Sequence, residues 1–344
     1  PSTMPFPWKG WKNWWISWLI FPKNISKICT SATGRIHQPC TRRRLSAGVL
    51  ILRGSMDYQG MVIRPPSEAF SIILQVTLGC SHNACTFCGT YREKPYSVKP
   101  WTQIEADIAF AGQYCKRQHN LFLADGDVLA MPHADLIRLL ETIRQQVPQV
   151  RRISSYASSR NISGKTDEEL RQYRSLGLLR LYMGLESGHD PTLKAIAKGV
   201  DAAAMVEAAR RIREADIALS VSCILGIAGK EQSQAHALAT AEVLNRMQPQ
   251  YIGVLTLMLL ENTPLYRRYR EGRFVLPDHS ELLLELRTMV QHLDLPRCLF
   301  SANHPSNYLT LNGRLPKDRE EMLALIDQAL EGSVHLRSEL QRAL

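Results

Sequence analysis

Past residue 70 the chain alternates short apolar runs with stretches of helical periodicity. The runs Ile72–Leu78, Asn120–Ala124, Arg151–Tyr156, Leu179–Gly184, Ala218–Leu225 and Tyr251–Leu259 are strand-sized. Between them, apolar positions recur at three- and four-residue steps near 101–118, 133–146, 166–176, 190–215 and 230–247, which predicts helices. Two of these have recognisable starts. Thr166-Asp-Glu-Glu169 reads as a capping box, and Asp201 as an N-cap before an Ala-rich helix. Strands alternating with helices predict a parallel sheet with right-handed crossovers. Six such units predict an α/β fold of the partial (β/α)6 TIM type, with its site at the C-terminal ends of the strands. Beyond residue 260 the pattern becomes mostly helical, near 264–272, 278–293 and 316–331, with a loop-like segment from Phe300 to Tyr308. The expected division is a leader over 1–55, a barrel over 56–265, and a helical region over 266–344 that covers the barrel mouth.

Charge changes the picture of the leader. The chain of 344 residues carries a formal +10, but residues 1–55 hold nine Lys or Arg and no acid. The remainder, with 33 basic and 32 acidic side chains, is nearly neutral, so no overall basic excess points to nucleic acid. Five of the six Trp (Trp8, Trp11, Trp14, Trp15 and Trp18) also fall in the leader. A membrane-surface or nucleic-acid arm and a targeting peptide are two readings of such a segment. The preferred one is upstream sequence, with the start at Met56 or Met61. No apolar run reaches membrane-spanning length. The eight Cys do not form a disulfide framework, which suits a reduced, cytoplasmic setting.

The strongest chemical signal is Gly79-Cys-Ser-His-Asn-Ala-Cys-Thr-Phe-Cys-Gly89, directly after the first strand run. Thiolates suit iron–sulfur clusters, zinc and copper(I). A closed structural site wants four protein ligands, and Cys80, Cys85 and Cys88 are three. His82 as a fourth zinc ligand is cramped, being only two residues from Cys80.

This run resembles the cluster loop of the radical S-adenosylmethionine (SAM) superfamily. There, three cysteines hold a [4Fe-4S] cluster, SAM chelates the open iron, and one electron cleaves SAM to methionine and a 5′-deoxyadenosyl radical. The first spacing departs from the common loop: four residues, not three, separate Cys80 from Cys85. The resemblance implies roles for further positions. Phe87 matches an aromatic near the adenine. Asp125, Gly126 and Asp127 stand where the family has a Gly-Gly-Glu-like motif for the methionine ammonium. Glu186, in Gly184-Leu-Glu-Ser-Gly188, matches the Gly-x-Glu-Ser of the coproporphyrinogen-oxidase-like and methylthiotransferase-like branches, where it bonds the ribose or amino group. Arg160 or Lys198 would pair with the SAM carboxylate. Ile224, Gly226 and Gly229 match a glycine-rich adenine region whose first Gly is here Ser222. Glu261-Asn-Thr-Pro-Leu265 resembles a Gly-Thr-Pro-Leu at the same point. The implied donor of electrons is a flavodoxin- or ferredoxin-type protein.

Few cysteines follow the barrel, so a single cluster is expected, and no cobalamin-binding, N-terminal cluster or RNA-binding module is recognised. Two other classes stay open: an iron–sulfur electron carrier without SAM chemistry, and a zinc-stabilised binding protein. Asn303, His304, Asn307 and Tyr308 either face substrate or satisfy their own loop backbone, the latter being the preferred reading. The sequence names no acid–base pair and no substrate.

Overall fold

In the computed structural model, residues 55–343 are described, so expectations for the leader, with Cys29 and Cys40, lie outside the described residues. The strands are β1 Ile72–Gln75, β2 Thr77–Leu78, β3 Ser97–Val98, β4 Asn120–Ala124, β5 Arg152–Ala157, β6 Leu178–Glu186, β7 Ala218–Leu225, β8 Tyr251–Thr256, β9 Cys298–Ala302 and β10 Leu311–Leu315. Eight of them form one sheet in the order β1-β4-β5-β6-β7-β8-β9-β10. All neighbours in it are parallel except the last pair. This is the expected α/β partial-barrel architecture, widened by two strands.

The helices are α1 Trp101–Tyr114, α2 His133–Gln146, α3 Ser159–Ser163, α4 Asp167–Ser175, α5 Asp190–Ala195, α6 Ala202–Glu214, α7 Ser233–Met247, α8 Pro264–Arg270, α9 His279–His292 and α10 Arg319–Leu330. Both expected caps form. Thr166 Oγ1 accepts the Glu169 N–H at 3.1 Å while Glu169 accepts that of Thr166 at 2.7 Å. Asp201 Oδ1 accepts the Ala204 N–H at 2.8 Å.

Burial along β7 alternates residue by residue, because helices cover one face of the sheet. Leu121, Leu123, Leu181, Met183, Val221 and Val254 point into the helix layer and belong to the main core. The opposite face is the inner one. A second apolar cluster of Val62, Phe122, Ala124 and Tyr182 lies there.

The structure corrects the sequence reading in three places. The run Ile72–Leu78 is two strands, because β2 leaves the main sheet to pair antiparallel with β3. The helix expected over 190–215 is α5 and α6, interrupted where Ala197 and Gly199 take φ values of 54° and 75°. The region after residue 265 is not helical throughout. It supplies β9, parallel to β8, and the antiparallel β10, and β9 runs on into the supposed loop from Phe300 to Tyr308, ending at Ala302. Five-residue strands near the sheet edge carry too short a pattern to be told from loop.

Candidate functional site

The β2–β3 hairpin closes residues 79–96 into one loop beyond the C-terminal end of β1, and Cys80, Cys85 and Cys88 lie on it. Gly79 starts it with φ 71°. A Cβ at this position would sit 2.2 Å from the Lys94 carbonyl oxygen and 2.9 Å from the Pro95 backbone, so only glycine fits. Gly79→Ala is therefore expected to open the hairpin. The expected cost is about 2–3 kcal/mol, for strain at positive φ and a displaced backbone. Chemical denaturation of the metal-free protein checks it.

Several polar contacts that do not involve the thiols shape the loop. Arg92 donates from Nη2 to the Cys85 carbonyl (2.8 Å) and from Nε to the Cys88 carbonyl (3.1 Å). Asn83 donates to the Tyr91 carbonyl at 2.7 Å and Asn262 to that of Gly89 at 3.0 Å. His82 Nε2 lies 2.8 Å from the Ala197 carbonyl, and Thr86 N–H bonds the Ile196 carbonyl at 2.8 Å. The α5–α6 turn is thereby fastened to the cysteine loop. A nitrogen facing a carbonyl at this distance is a donor, so His82 Nε2 is not free to ligate a metal. Phe87 is half-buried against the main core.

Asp125 and Asp127 follow β4 and anchor the loop from below. Asp125 is fully buried and ion-paired to Lys94. It also accepts from Tyr91 Oη (3.2 Å), the Gly79 N–H (3.3 Å) and Gln75 (3.4 Å). Burial raises its pKa above the usual carboxylate range, and Lys94 opposes the shift. Asp127 bonds Ser81 and Asn161, and burial raises it too. Gly126, between them, packs against the Tyr91 ring. The carboxylates that the sequence reading aimed at a ligand thus hold the loop as well.

A second group gathers at the end of β6. Glu186 has φ 61°, uncommon for a residue with a side chain and costing roughly 1–3 kcal/mol. Lys198 Nζ lies 3.0 Å from its Oε1, and both side chains are largely buried. Gly184 leaves room for that carboxylate, since a Cβ there would meet Oε1 at 2.0 Å. Burial opposes the charge on Lys198, yet Glu186 and Cys85 outweigh it and the pKa is raised. Cys85 is pushed up to about 11 by burial, against the pull of Lys198. Arg160 is exposed, and its Nη2 donates to the Gly199 carbonyl at 3.0 Å, one residue beyond Lys198. Cys85, Glu186, Lys198 and Arg160 are thus drawn to one region around the α5–α6 turn.

Ile224 lies at the end of β7, the strand next to β6, and Gly226 directly follows it. They share no hydrogen bond with Glu186 or Lys198, and Gly226 donates its N–H to the buried Glu285 at 2.8 Å. Behind them, His236 Nδ1 meets Ser187 Oγ at 2.7 Å. Its Nε2 is 3.3 Å from Glu285, at ion-pair distance but off hydrogen-bond alignment. Lys94, Tyr91, Arg92, Asn161 and the His236–Glu285 pair were missed by sequence reasoning. They act through contacts far apart in sequence, and only the loop positions of Arg92 and Lys94 offered any signal.

In the segment 303–308, His304 bonds its own loop backbone, whereas Asn307 reaches β8 and Tyr308 reaches Glu339. Asn307 bonds Thr256 (2.8 Å) and the Val254 carbonyl (2.7 Å), and His304 Nδ1 accepts the Ser306 N–H at 3.0 Å. Burial, helped by Arg337, lowers the His304 pKa to about 3. The folded state therefore binds fewer protons than the unfolded one below the ordinary His pKa. Stability that is intact above pH ~6.5 should be lost as pH falls towards 3, by up to about 1.4 kcal/mol per unit. Denaturation midpoints across that range check this, and His304→Gln should flatten the slope.

Among the described residues, no three His, Cys, Asp or Glu are arranged to hold a single metal ion. A four-iron cluster asks something else, with each thiolate on a separate iron. Three unpaired half-buried thiols on a loop fixed by other groups fit that donor set. No described helix is long and apolar enough to cross a membrane.

Comparison with known proteins agrees with the donor set. Residues 74–244 match the family model described as the radical SAM superfamily. An uncharacterized protein of Methanocaldococcus jannaschii is 21% identical over 240 residues, covering 66% of this chain and 72% of its own. Among solved structures, a radical S-adenosylmethionine methyltransferase of Kitasatospora setae, with cobalamin and a [4Fe-4S] cluster bound, is similar at 15% identity and a TM-score of 0.48. The match covers 59% of this chain and 39% of that one. Coproporphyrinogen III oxidase of Escherichia coli is similar at 18% identity and a TM-score of 0.49, covering 64% and 51%. The chain thus spans well under two thirds of either of these structures.

Proposed function

The chain belongs to the radical SAM superfamily, and on that premise we propose that it is an enzyme that cleaves SAM reductively to generate a radical from an unidentified substrate. Its cofactors are a [4Fe-4S] cluster and SAM, which when bound supply one-electron scission to methionine and a 5′-deoxyadenosyl radical. The observation that carries the reading is positional. The three-cysteine loop leaves β1 at the C-terminal face, and hydrogen bonds tie it to the turn bearing Lys198, beside Glu186.

The protein's part is to bind, orient and exclude water. Cys80, Cys85 and Cys88 would ligate three irons. Arg92 fixes the carbonyls of two of them, so the thiols are presented in one arrangement. Lys198 brings positive charge towards the thiolates and, with Arg160, towards a carboxylate of SAM. Glu186 is an acceptor for the ribose or amino hydrogens of SAM. Asp127 and the Gly126 backbone stand beside the loop as acceptors for an ammonium. Phe87 and the turn at Ile224 and Gly226 complete an apolar and backbone surface for adenine. Electrons would come from a flavodoxin- or ferredoxin-type donor, in a reduced, cytoplasmic setting. No side chain is given a proton-transfer role, since reductive cleavage needs none.

The test is anaerobic reconstitution of the full chain with iron and sulfide, then SAM and dithionite, with 5′-deoxyadenosine as readout. A complete cluster with neither SAM cleavage nor a spectral response to SAM would instead favour an iron–sulfur electron carrier.

A further inference from the structure

Three arginines converge at the floor of the inner face, at the opposite end of the strands from the cysteine loop. Arg152 opens β5, Arg180 lies low on β6, and Arg64 precedes the 3-10 turn Pro66–Glu68 that feeds β1. The acid among them is Glu68, fully buried and already saturated. It accepts from Arg152 Nη2 at 3.1 Å on each oxygen, from Tyr182 Oη at 2.5 Å, and from Ser71. Arg180 has no carboxylate at ion-pair distance among the described residues. It stacks on the Tyr251 ring at 4.1 Å and approaches Tyr182 Oη at 3.4 Å. Arg64 has neither an ion pair nor a hydrogen bond there, and burial pulls its pKa down. Three guanidiniums around one carboxylate leave an excess of two positive charges.

Each arginine also keeps a buried N–H without an acceptor: Arg64 Nη1, Arg152 Nε and Arg180 Nε. Buried donors lacking partners are rare, and buried charge lacking a counter-charge is costly. One group relieves both faults, an oxyanion, which guanidinium forks recognise through paired N–H donors. The approach from above is built of small residues. Ser222 and Gly253 are register neighbours on β7 and β8, while the room at Gly184 on β6 is taken by the Glu186 carboxylate. A Cβ on Gly253 would meet nothing within 4 Å.

We propose that this floor is the recognition site for an anionic group, carboxylate or phosphate, of the substrate, with Arg64 and Arg180 as its principal ligands. Tyr182 and Glu186 are four residues apart on β6, or roughly 13 Å along a strand. The substrate class is thus an elongated molecule with its acid at the floor and its reacting carbon about that far above. The assignment of this anion to a substrate rests on the radical SAM reading; the anion site itself does not.

Thermal unfolding of the anaerobically reconstituted full chain, with glutarate, inorganic phosphate or neutral glutaramide, tests the site. Glutarate or phosphate should raise the midpoint by about 3–5 °C near saturation, and glutaramide should not. Glutarate alone would indicate a carboxylate substrate, phosphate alone a phosphorylated one. Arg64→Gln should start at an equal or higher midpoint, because it removes uncompensated charge, whereas Arg180→Gln also gives up the Tyr251 stacking and the Tyr182 contact. Both should lose at least about tenfold in anion affinity, and Arg180→Lys should regain part of it. The proposal is overturned if neither anion shifts the wild type, if the Gln variants respond as it does, or if Arg64→Gln lowers the anion-free midpoint. 5′-Deoxyadenosine formation by the same wild-type sample separates the two readings. Anion binding without SAM cleavage would leave the site standing and remove the enzyme reading, and the reverse result would do the opposite.

Discussion

Alanine in place of Cys80, Cys85 or Cys88 is expected to abolish SAM cleavage, lowering 5′-deoxyadenosine formation by at least about a thousandfold. The chain should nevertheless stay folded. The loop is held by the Lys94–Asp125 pair, Ser81 on Asp127, Arg92 on two carbonyls and His82 on Ala197, and none of these uses a thiol. The stability of the metal-free protein should therefore change by only about 1 kcal/mol. Iron content and the visible absorbance of the reconstituted cluster should fall together with activity. Cys223 and Cys298 are buried in β7 and β9, and their Ser variants should keep the cluster. Cys85→Ala protein that still cleaved SAM under dithionite would sink the functional reading.

The next largest effect is expected at the Glu186–Lys198 pair. Lys198→Met leaves a largely buried carboxylate at a positive-φ turn without its partner. Breaking such a pair costs about 2–3 kcal/mol, at the low end because some solvent contact remains. If the pair serves only the fold, the double variant Glu186→Gln/Lys198→Met should recover both stability and SAM affinity. If the pair faces SAM, stability should recover while affinity stays about 10–100-fold weaker than wild type. Titration of the reconstituted protein with SAM, set beside denaturation midpoints of the two variants, separates the cases. Recovery of affinity in the double variant would return the pair to a structural role.

Why the cysteine loop was readable and much of the surrounding site was not follows from where the information lies. The spacing of Cys80, Cys85 and Cys88 is local, and so are the caps at Thr166 and Asp201, which formed as expected. The break between α5 and α6 was half visible in Lys198-Gly199. The helix was still read through it, because apolar periodicity resumes on both sides. The strands β9 and β10 escaped because five residues in the last two strands of a sheet carry little pattern. Asp125 shows the limit for side chains. Its place after β4 suggested a ligand contact, whereas its carboxylate meets Lys94, Tyr91, Gly79 and Gln75, all from the β1 and cysteine-loop segments.

By itself, then, the sequence determined the alternating α/β plan, the three thiols at the C-terminal end of the first strand, and the family. These depend on periodicity and spacing within about twenty residues, where backbone geometry dictates which side chains share a face. Tertiary structure alone decided that Lys198 meets Glu186, that His82 is spent on Ala197, and that Arg64, Arg152 and Arg180 share a floor with one acid. Those contacts join residues on different strands and turns. Strand register and the crossovers bring them together, so no local pattern records which charge faces which.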